Sequence, residues 1–148
     1  MGGLYDRLKM HRIYFSAYQR GLGDESIAAE QEAPDSAAAD ILMREHRLYQ
    51  VDFLLRKYGF KETDIVFESE GNLSLSADPK QVWADRHPEI FPVNVNATSK
   101  FELLRVPGFG LVTVERILKQ RAAGRITRVE DIGKLGVRLK KASKYLVF

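Results

Sequence analysis

An internal repeat in the last third of the chain constrains the fold more than any other feature of the sequence. Residues 94–148 match themselves at an offset of 28 positions, and each copy has the plan of a short helix, a glycine turn and a second helix. Neither helix pair is large enough to bury a core alone, so the two copies are expected to pack against each other. The matching pairs are Glu102 and Glu130, Leu104 and Ile132, Gly108 and Gly136, Leu111 and Leu139, and Leu118 and Leu146.

Capping and glycine signals predict four short helices in this repeat. Asn96 or Thr98 is the expected N-cap of the first helix, which ends near residue 105, and a tight turn follows at residues 106–110. Gly124 is the expected stop of the second helix. The second, third and fourth helices are predicted at residues 111–123, 128–135 and 139–146.

Residues 40–93 are predicted to form a helical connecting region. Asp40 is a plausible N-cap for its main helix, and Gly59 lies where a left-handed C-terminal cap belongs. A second, shorter helix is expected to begin at Asp78 and Pro79, because an N-cap residue followed by proline is typical of a helix start. The apolar face of the main helix is predicted to contain Leu48, Val51, Leu54, Leu55 and Tyr58.

The N-terminal part predicts a short β element. Residues 1–20 contain the run 12–18 (RIYFSAY), whose β-branched and aromatic residues favour a strand. Residues 64–67 (DIVF) are the best candidate for a second strand that pairs with it. A strand must pair its backbone groups, so this element is expected to be a fragment of a larger barrel or sheet. The acidic residues 21–39 are predicted to be a linker. The expected fold class is therefore mainly α.

The charge of the chain is unevenly distributed. The whole sequence has 23 Lys and Arg against 20 Asp and Glu, which gives a net charge of +3. Residues 94–148 have 12 Lys and Arg against 4 Asp and Glu, or +8, and residues 1–93 therefore carry −5. Such a basic segment is typical of a polyanion binder, and a merely solvated basic surface is the open alternative.

Composition excludes several classes of site. The chain has no cysteine, which rules out a disulfide framework, a thiolate zinc site and a cysteine-bound iron–sulfur cluster within it. No apolar run approaches the roughly 18 residues of a membrane span, and the first residues lack the layout of a signal peptide. We therefore expect a cytoplasmic protein that has no membrane partner and no cofactor in this chain.

The first glycine turn of the repeat has the features of an anion site. Gly108 and Gly110 let the backbone adopt positive φ and approach a ligand closely, and Phe109 between them can bury its ring. The amides of both glycines and of the next helical turn would then point outward at the positive end of a helix. A backbone phosphate of nucleic acid fits such a nest, and contacts of this kind carry no base information.

Candidate binding residues come from both copies of the repeat. Arg138 stands where the offset of 28 places the second glycine, so the second copy is expected to add side-chain charge rather than a nest. The open alternatives are a turn that only connects helices and a basic face that docks an acidic protein. The candidate set is Arg105, Pro107, Gly108, Phe109, Gly110, Thr113, Arg116, Lys119, Arg138, Lys140, Lys141 and Lys144.

Residues 104–110 (LRVPGFG), followed by the apolar residues Val114, Ile117 and Leu118, resemble the helix-hairpin-helix family. The resemblance implies a tandem helix-hairpin-helix domain at residues 94–148. It also implies binding to the DNA backbone without sequence preference, with RNA as a second candidate partner.

A wider resemblance covers most of the chain outside residues 21–39. The runs 12–18, 44–60 (REHRLYQVDFLLRKYGF), 78–89 (DPKQVWADRHPE) and 135–142 (LGVRLKKA) resemble, in this order, the C-terminal half of a radical S-adenosylmethionine family associated with DNA modification and repair. The family's catalytic signature is a cysteine triplet that holds a four-iron, four-sulfur cluster. The resemblance therefore implies an accessory role beside an upstream catalytic domain or a separate subunit, which would hold the cluster and S-adenosylmethionine.

No catalytic motif is evident in the sequence itself, and enzyme activity stays undecided. His46 lies among charged residues and could take part in polar chemistry in a cleft, although an exposed helical position is the simpler interpretation. His11 and His87 are isolated and have no neighbours at metal-ligand spacing.

Overall fold

A computed structural model describes residues 2–16, 21, 23–24, 26–27, 38–68 and 71–148. Over these residues the fold is mainly helical, as predicted, and one small two-stranded parallel sheet accompanies the helices. The helices are α1 (Gly2–Asp6), α2 (Ala38–Lys57), α3 (Pro79–Arg86), α4 (Lys100–Arg105), α5 (Leu111–Ala123), α6 (Val129–Ile132) and α7 (Val137–Ala142). Single 3₁₀ turns lie at Glu62–Asp64, Pro88–Ile90 and Ser143–Tyr145, and the strands are β1 (Val93–Asn94) and β2 (Leu146–Val147).

The long helix α2 presents the predicted apolar face to the core. Val51 and Leu54 are buried, and Leu48, Leu55 and Tyr58 are partly buried beside them. The helix ends before Gly59, whose φ of 71° is left-handed as the sequence predicts. The chain then turns back so that Phe60 packs with Leu54 in the same cluster.

Helix α3 begins at the predicted cap. The Asp78 carboxylate accepts a hydrogen bond from the Gln81 amide at 2.9 Å, and Pro79 occupies the first turn. Trp83 is buried against the Phe60 ring at a centroid distance of 5.4 Å. Helix α3 therefore packs on α2 through a small aromatic cluster.

The β structure is not where the sequence predicted it. Residues 12–16 and 65–67 form no strand, and residues 17–18 lie outside the described part of the chain. The observed strands flank the C-terminal region instead, with Val93 paired to Leu146 and Asn94 to Val147. These two short strands therefore pair their backbone groups with each other and not with the N-terminal run.

The C-terminal region, residues 93–148, has its own core. Helix α5 contacts both α4 and α6, and these three helices and α7 contribute apolar side chains to the shared interior. Tyr58, Phe91 and Tyr145 contact both this core and the α2–α3 cluster, so the two clusters adjoin. The buried members include Leu103, Leu104, Val106, Val114, Ile117, Ile126, Ile132 and Leu139.

Helix bounds in this region differ from the prediction mainly in the second copy. Ser99, rather than Asn96 or Thr98, caps α4 through a capping box with Glu102. Helix α5 has the predicted bounds. The third helix is shorter than residues 128–135 because Gly133, at φ 155°, ends it. The fourth helix begins at Val137 and gives way to a 3₁₀ turn and to β2.

Two further predictions concern the acidic linker and the absence of a membrane-spanning segment. Residues 28–37, most of the predicted linker, lie outside the described residues. None of the helices that the structure describes has the length and apolar character needed to traverse a bilayer.

Candidate nucleic-acid interface

The first hairpin turn, residues 106–110, has positive φ at only one of its two glycines. Gly108 has a φ of 90°, and the Phe109 amide donates to the Val106 carbonyl at 3.1 Å. Phe109 and Pro107 are buried, so their side chains hold the turn from inside. Gly110 caps α5 with extended backbone. Among the described residues, no hydrogen bond uses the amides of Gly108 and Gly110.

Gly108 also contacts the second copy of the repeat directly. A Cβ atom at this position would lie 2.3 Å from the carbonyl oxygen of Arg138, which is too close for any real contact. Glycine is therefore needed here for the packing of the turn against α7 as well as for its positive φ.

The positive end of α5 is less open than the sequence suggested. The Tyr58 hydroxyl lies 3.5 Å from the Cβ position of Gly110, and the nearby Leu111 amide favours the ionised form of this phenol. Burial raises the pKa of Tyr58, against the opposing effects of that amide and of the Arg138 charge. The phenol of Tyr58 thus lies beside the predicted nest.

The second hairpin turn matches the first by a different register from the one predicted. Gly136 caps α7 with extended backbone, as Gly110 caps α5, so the two cap positions are 26 residues apart rather than 28. Arg138 is therefore the second residue of α7 and does not replace a turn glycine. The two turns differ in length by two residues. The offset of 28 was found by matching apolar positions and did not reveal this difference, so Arg138 was aligned with Gly110.

A cavity of about 290 Å³ lies between the two hairpins, and we call it the basic cleft. Three cationic residues, Arg116, Lys134 and Arg138, line it together with Thr113 and Gly108, and its lining includes no Asp or Glu. Arg116 is held in place, since its Nη1 donates to the Ile132 carbonyl at 3.4 Å. Of the twelve candidates, the cleft brings together Gly108, Thr113, Arg116 and Arg138, and it adds Lys134.

Lys134 was missed because the sequence reasoning compared only positions that the two copies share. Its position between Gly133 and Gly136 was the available signal, since a cation inside a glycine turn lies beside the exposed backbone of that turn.

Two candidate cations are used in contacts elsewhere. Arg105 Nη2 pairs with Asp64 Oδ2 at 2.9 Å, and its guanidinium lies 4.5 Å from the ring centroids of both Phe60 and Trp83. Lys141 Nζ pairs with Asp78 Oδ2 at 3.2 Å. Within the part of the chain that the structure describes, no ion pair involves Lys119, Arg138, Lys140 or Lys144.

A second cavity, of about 460 Å³, lies on the other side of the first turn, and we call it the aromatic cavity. Helix α2 contributes the rings of Tyr49 and Phe53 and the polar side chains of His46 and Gln50, and Tyr58, just after the helix, adds a third ring. His46 is exposed on its helix, as the simpler interpretation predicted, but it also lines this cavity.

Lys80 closes one wall of the aromatic cavity. Its Nζ donates to the Phe109 carbonyl at 2.6 Å and lies 4.8 Å from the Tyr58 ring centroid. Burial lowers the pKa of Lys80 to about 7, Asp78 acts in the opposite direction, and Lys141 adds to the lowering. Lys80 therefore links α3 to the first hairpin turn, a contact that no sequence motif indicated.

The described residues contain no group of three or more His, Asp or Glu side chains arranged to hold a metal ion, and the sequence has no cysteine. The resemblances to the helix-hairpin-helix and radical S-adenosylmethionine families rest on sequence motifs. Comparison of the chain with protein families, with curated proteins and with solved structures finds no match.

Proposed function

We propose that residues 94–148 form a tandem helix-hairpin-helix module that binds the sugar-phosphate backbone of DNA without reading its sequence. The observation that carries the proposal is the basic cleft, in which Arg116, Lys134 and Arg138 face a space between two glycine turns with no carboxylate in the lining. Cations without competing anions attract phosphate, and the local net charge of +8 adds a favourable long-range field.

The chemistry of the cleft supports backbone contacts rather than base readout. Arg side chains can hold a phosphate with two parallel hydrogen bonds, and the Thr113 hydroxyl is a short donor beside them. The unused amides of Gly108 and Gly110 are further donors close by. Contacts of these types position a nucleic acid and are indifferent to its sequence.

Salt titration of binding to random-sequence duplex DNA tests the proposal. Each phosphate contact contributes roughly −0.9 to the slope of log affinity against log salt concentration. The double variant Lys134→Ala, Arg138→Ala should bind more weakly and reduce the slope by about 2. Arg125→Ala is the control, because Arg125 is an exposed cation of the same module outside the lining of the cleft.

Two outcomes would contradict the proposal. One is the absence of DNA binding at low salt, which would favour an acidic protein as the partner of the basic face. The other is a loss of DNA affinity in the control Arg125→Ala that is as large as the loss in the single variant Lys134→Ala or Arg138→Ala. Parallel titration with duplex RNA would show whether the backbone contacts distinguish the two nucleic acids.

The wider motif resemblance supports an accessory role for this module. We infer that it would deliver a radical S-adenosylmethionine catalytic part, on another segment or subunit, to DNA. Co-purification of this chain with a cysteine-containing radical enzyme, and a gain of DNA affinity by that enzyme, would test the inference. A partner enzyme whose DNA affinity is unchanged by this chain would contradict it.

A further inference from the structure

The aromatic cavity and the basic cleft adjoin each other across the first hairpin turn. Gly108 and Arg138 line both spaces, and their contact forms the partition between them. A nucleic acid backbone held in the cleft would therefore pass beside the mouth of the aromatic cavity. This continuity connects the cavity with the proposed function.

The walls of the aromatic cavity have two chemically distinct parts. Tyr49, Phe53 and Tyr58 provide aromatic rings on the α2 side, and two of them form an edge-to-face pair, with Phe53 and Tyr58 centroids 5.6 Å apart. Gln50 and His46 add hydrogen-bonding groups on the same helix. Flat rings with a few polar groups suit a planar heteroaromatic ligand, since such sites stack the ring and bind its polar edge.

The opposite wall carries positive charge. Arg138 and Lys141 lie on α7, and the Lys80 ammonium group is committed to the Phe109 carbonyl. Asp78 is the acidic residue of this lining, and it is paired with Lys141. The unpaired cation at the partition is thus Arg138, on the side where the backbone would run.

The volume of the aromatic cavity is also that of a small-molecule binding site. At about 460 Å³ it lies within the range of roughly 300–1,000 Å³ that small-molecule sites occupy. It is large enough for one nucleotide and too small for a base pair together with its two sugars. We propose that the aromatic cavity binds a single unpaired nucleotide, with its base against the aromatic rings on the α2 side and its phosphate toward Arg138. This inference rests on the proposed function.

Binding to a duplex that contains a one-nucleotide bulge, compared with the same duplex fully paired, tests this inference. The wild-type chain should prefer the bulged duplex by about fivefold or more, because stacking of one base on aromatic side chains is worth roughly 5- to 150-fold in affinity. Fluorescence anisotropy of end-labelled duplexes at one fixed salt concentration measures both affinities.

His46→Trp is the test variant, since His46 is exposed, lines the cavity and can carry a larger ring that fills it. This variant should lose the preference for the bulge and keep wild-type affinity for the paired duplex. Leu42→Trp is the matched control on the same helix, because Leu42 is 68% exposed and does not line the cavity. It should keep the preference.

The outcomes separate this inference from the proposed function. Binding of both duplexes with equal affinity by the wild-type chain would overturn the nucleotide site and leave backbone binding intact. Retention of the bulge preference in His46→Trp, or its loss in Leu42→Trp, would overturn the site as well. Failure to bind either duplex would overturn the proposed function and this inference together.

Discussion

Gly108 is held by two constraints, one from its own backbone and one from the second copy of the repeat. Its φ of 90° lies in the region that L side chains rarely adopt. Its missing Cβ leaves space for the Arg138 carbonyl oxygen. The residue chosen from sequence for ligand contact is therefore also the point at which the two hairpins meet.

Gly108→Ala should destabilise the chain by about 2–4 kcal/mol, because strained backbone and a steric clash act together. Gly124→Ala is the control, since Gly124 has extended backbone at φ 175° and no atom within 4 Å of its Cβ position. Urea unfolding of the two variants measures the difference. Equal midpoints would show that the contact with α7 does not form in solution.

Lys80 combines burial with a positive charge, and its lowered pKa ties the stability of the chain to pH. The folded chain releases the Lys80 proton near pH 7, whereas the unfolded chain keeps it to about pH 10.4. Between these values the unfolded state binds more protons, so the contribution of Lys80 to the free energy of unfolding rises with pH. Tyr58, whose pKa is raised, acts in the opposite direction only above about pH 10.

Lys80→Met should therefore flatten the pH profile of stability between pH 7 and pH 10. Urea unfolding at one-unit steps across this window measures the slope for the variant and the wild-type chain. Lys57→Met is the control, because Lys57 is an exposed lysine at the end of α2. A slope that Lys80→Met leaves unchanged would contradict the assignment of this titration to Lys80.

At the scale of elements, the sequence predicted some helix bounds and missed others. Helix α2 begins at Ala38, so the predicted cap Asp40 lies inside it, and Ser99 caps α4. Asp78 and Pro79 start α3 as expected, because a cap is a local contact between residues three positions apart. The ends of α6 and α7 were predicted several residues too late. Gly133 and the 3₁₀ turn at Ser143–Tyr145 end these helices early, and the chain must then reach β1 to form its parallel pairs.

The cap of α3 supplies an element-scale prediction. Asp78→Ala should cost about 1 kcal/mol through loss of the cap, with a further loss from the broken pair with Lys141. Asp78→Asn keeps the capping oxygen and removes the charge, so it should recover most of the stability. Chemical denaturation of both variants measures the two parts. An asparagine variant as unstable as the alanine variant would assign the effect to the charge pair.

At the scale of the whole molecule, Arg105 joins the α2–α3 cluster to the C-terminal region. Its ion pair with Asp64 and its position over Phe60 and Trp83 place it between the two. Burial opposes ionisation of Asp64, but the Lys61 amide and Arg105 outweigh it and lower the pKa of that carboxyl group. The sequence had assigned Arg105 to phosphate binding, and in this structure its guanidinium is engaged with Asp64 and two aromatic rings.

Arg105→Ala should therefore destabilise the chain by about 1–3 kcal/mol and leave DNA affinity within about twofold of wild type. Arg138→Ala should do the reverse, since Arg138 is exposed and lines the basic cleft. Unfolding curves and DNA titrations on the same two proteins measure both properties. A loss of DNA affinity in folded Arg105→Ala as large as in Arg138→Ala would restore Arg105 to the interface.

The sequence by itself determined the features that depend on neighbours along the chain. These are the helical class, the face of α2, the caps at Asp78 and Gly59, and the glycine turn at residues 106–110 with its buried Phe109. Each follows from spacing, capping chemistry or backbone freedom within a few residues.

Only the tertiary structure decided which cationic side chains have no ion-pair partner and which residues pack against the first hairpin turn. Arg105 and Lys141 lie within a few residues of the glycine turns in sequence, yet their partners Asp64 and Asp78 are 41 and 63 positions away. The same holds for the position of the Tyr58 hydroxyl beside Gly110 and for the pairing of β1 with β2. Local patterns report which groups a segment offers, whereas long-range packing selects the partner that each group meets.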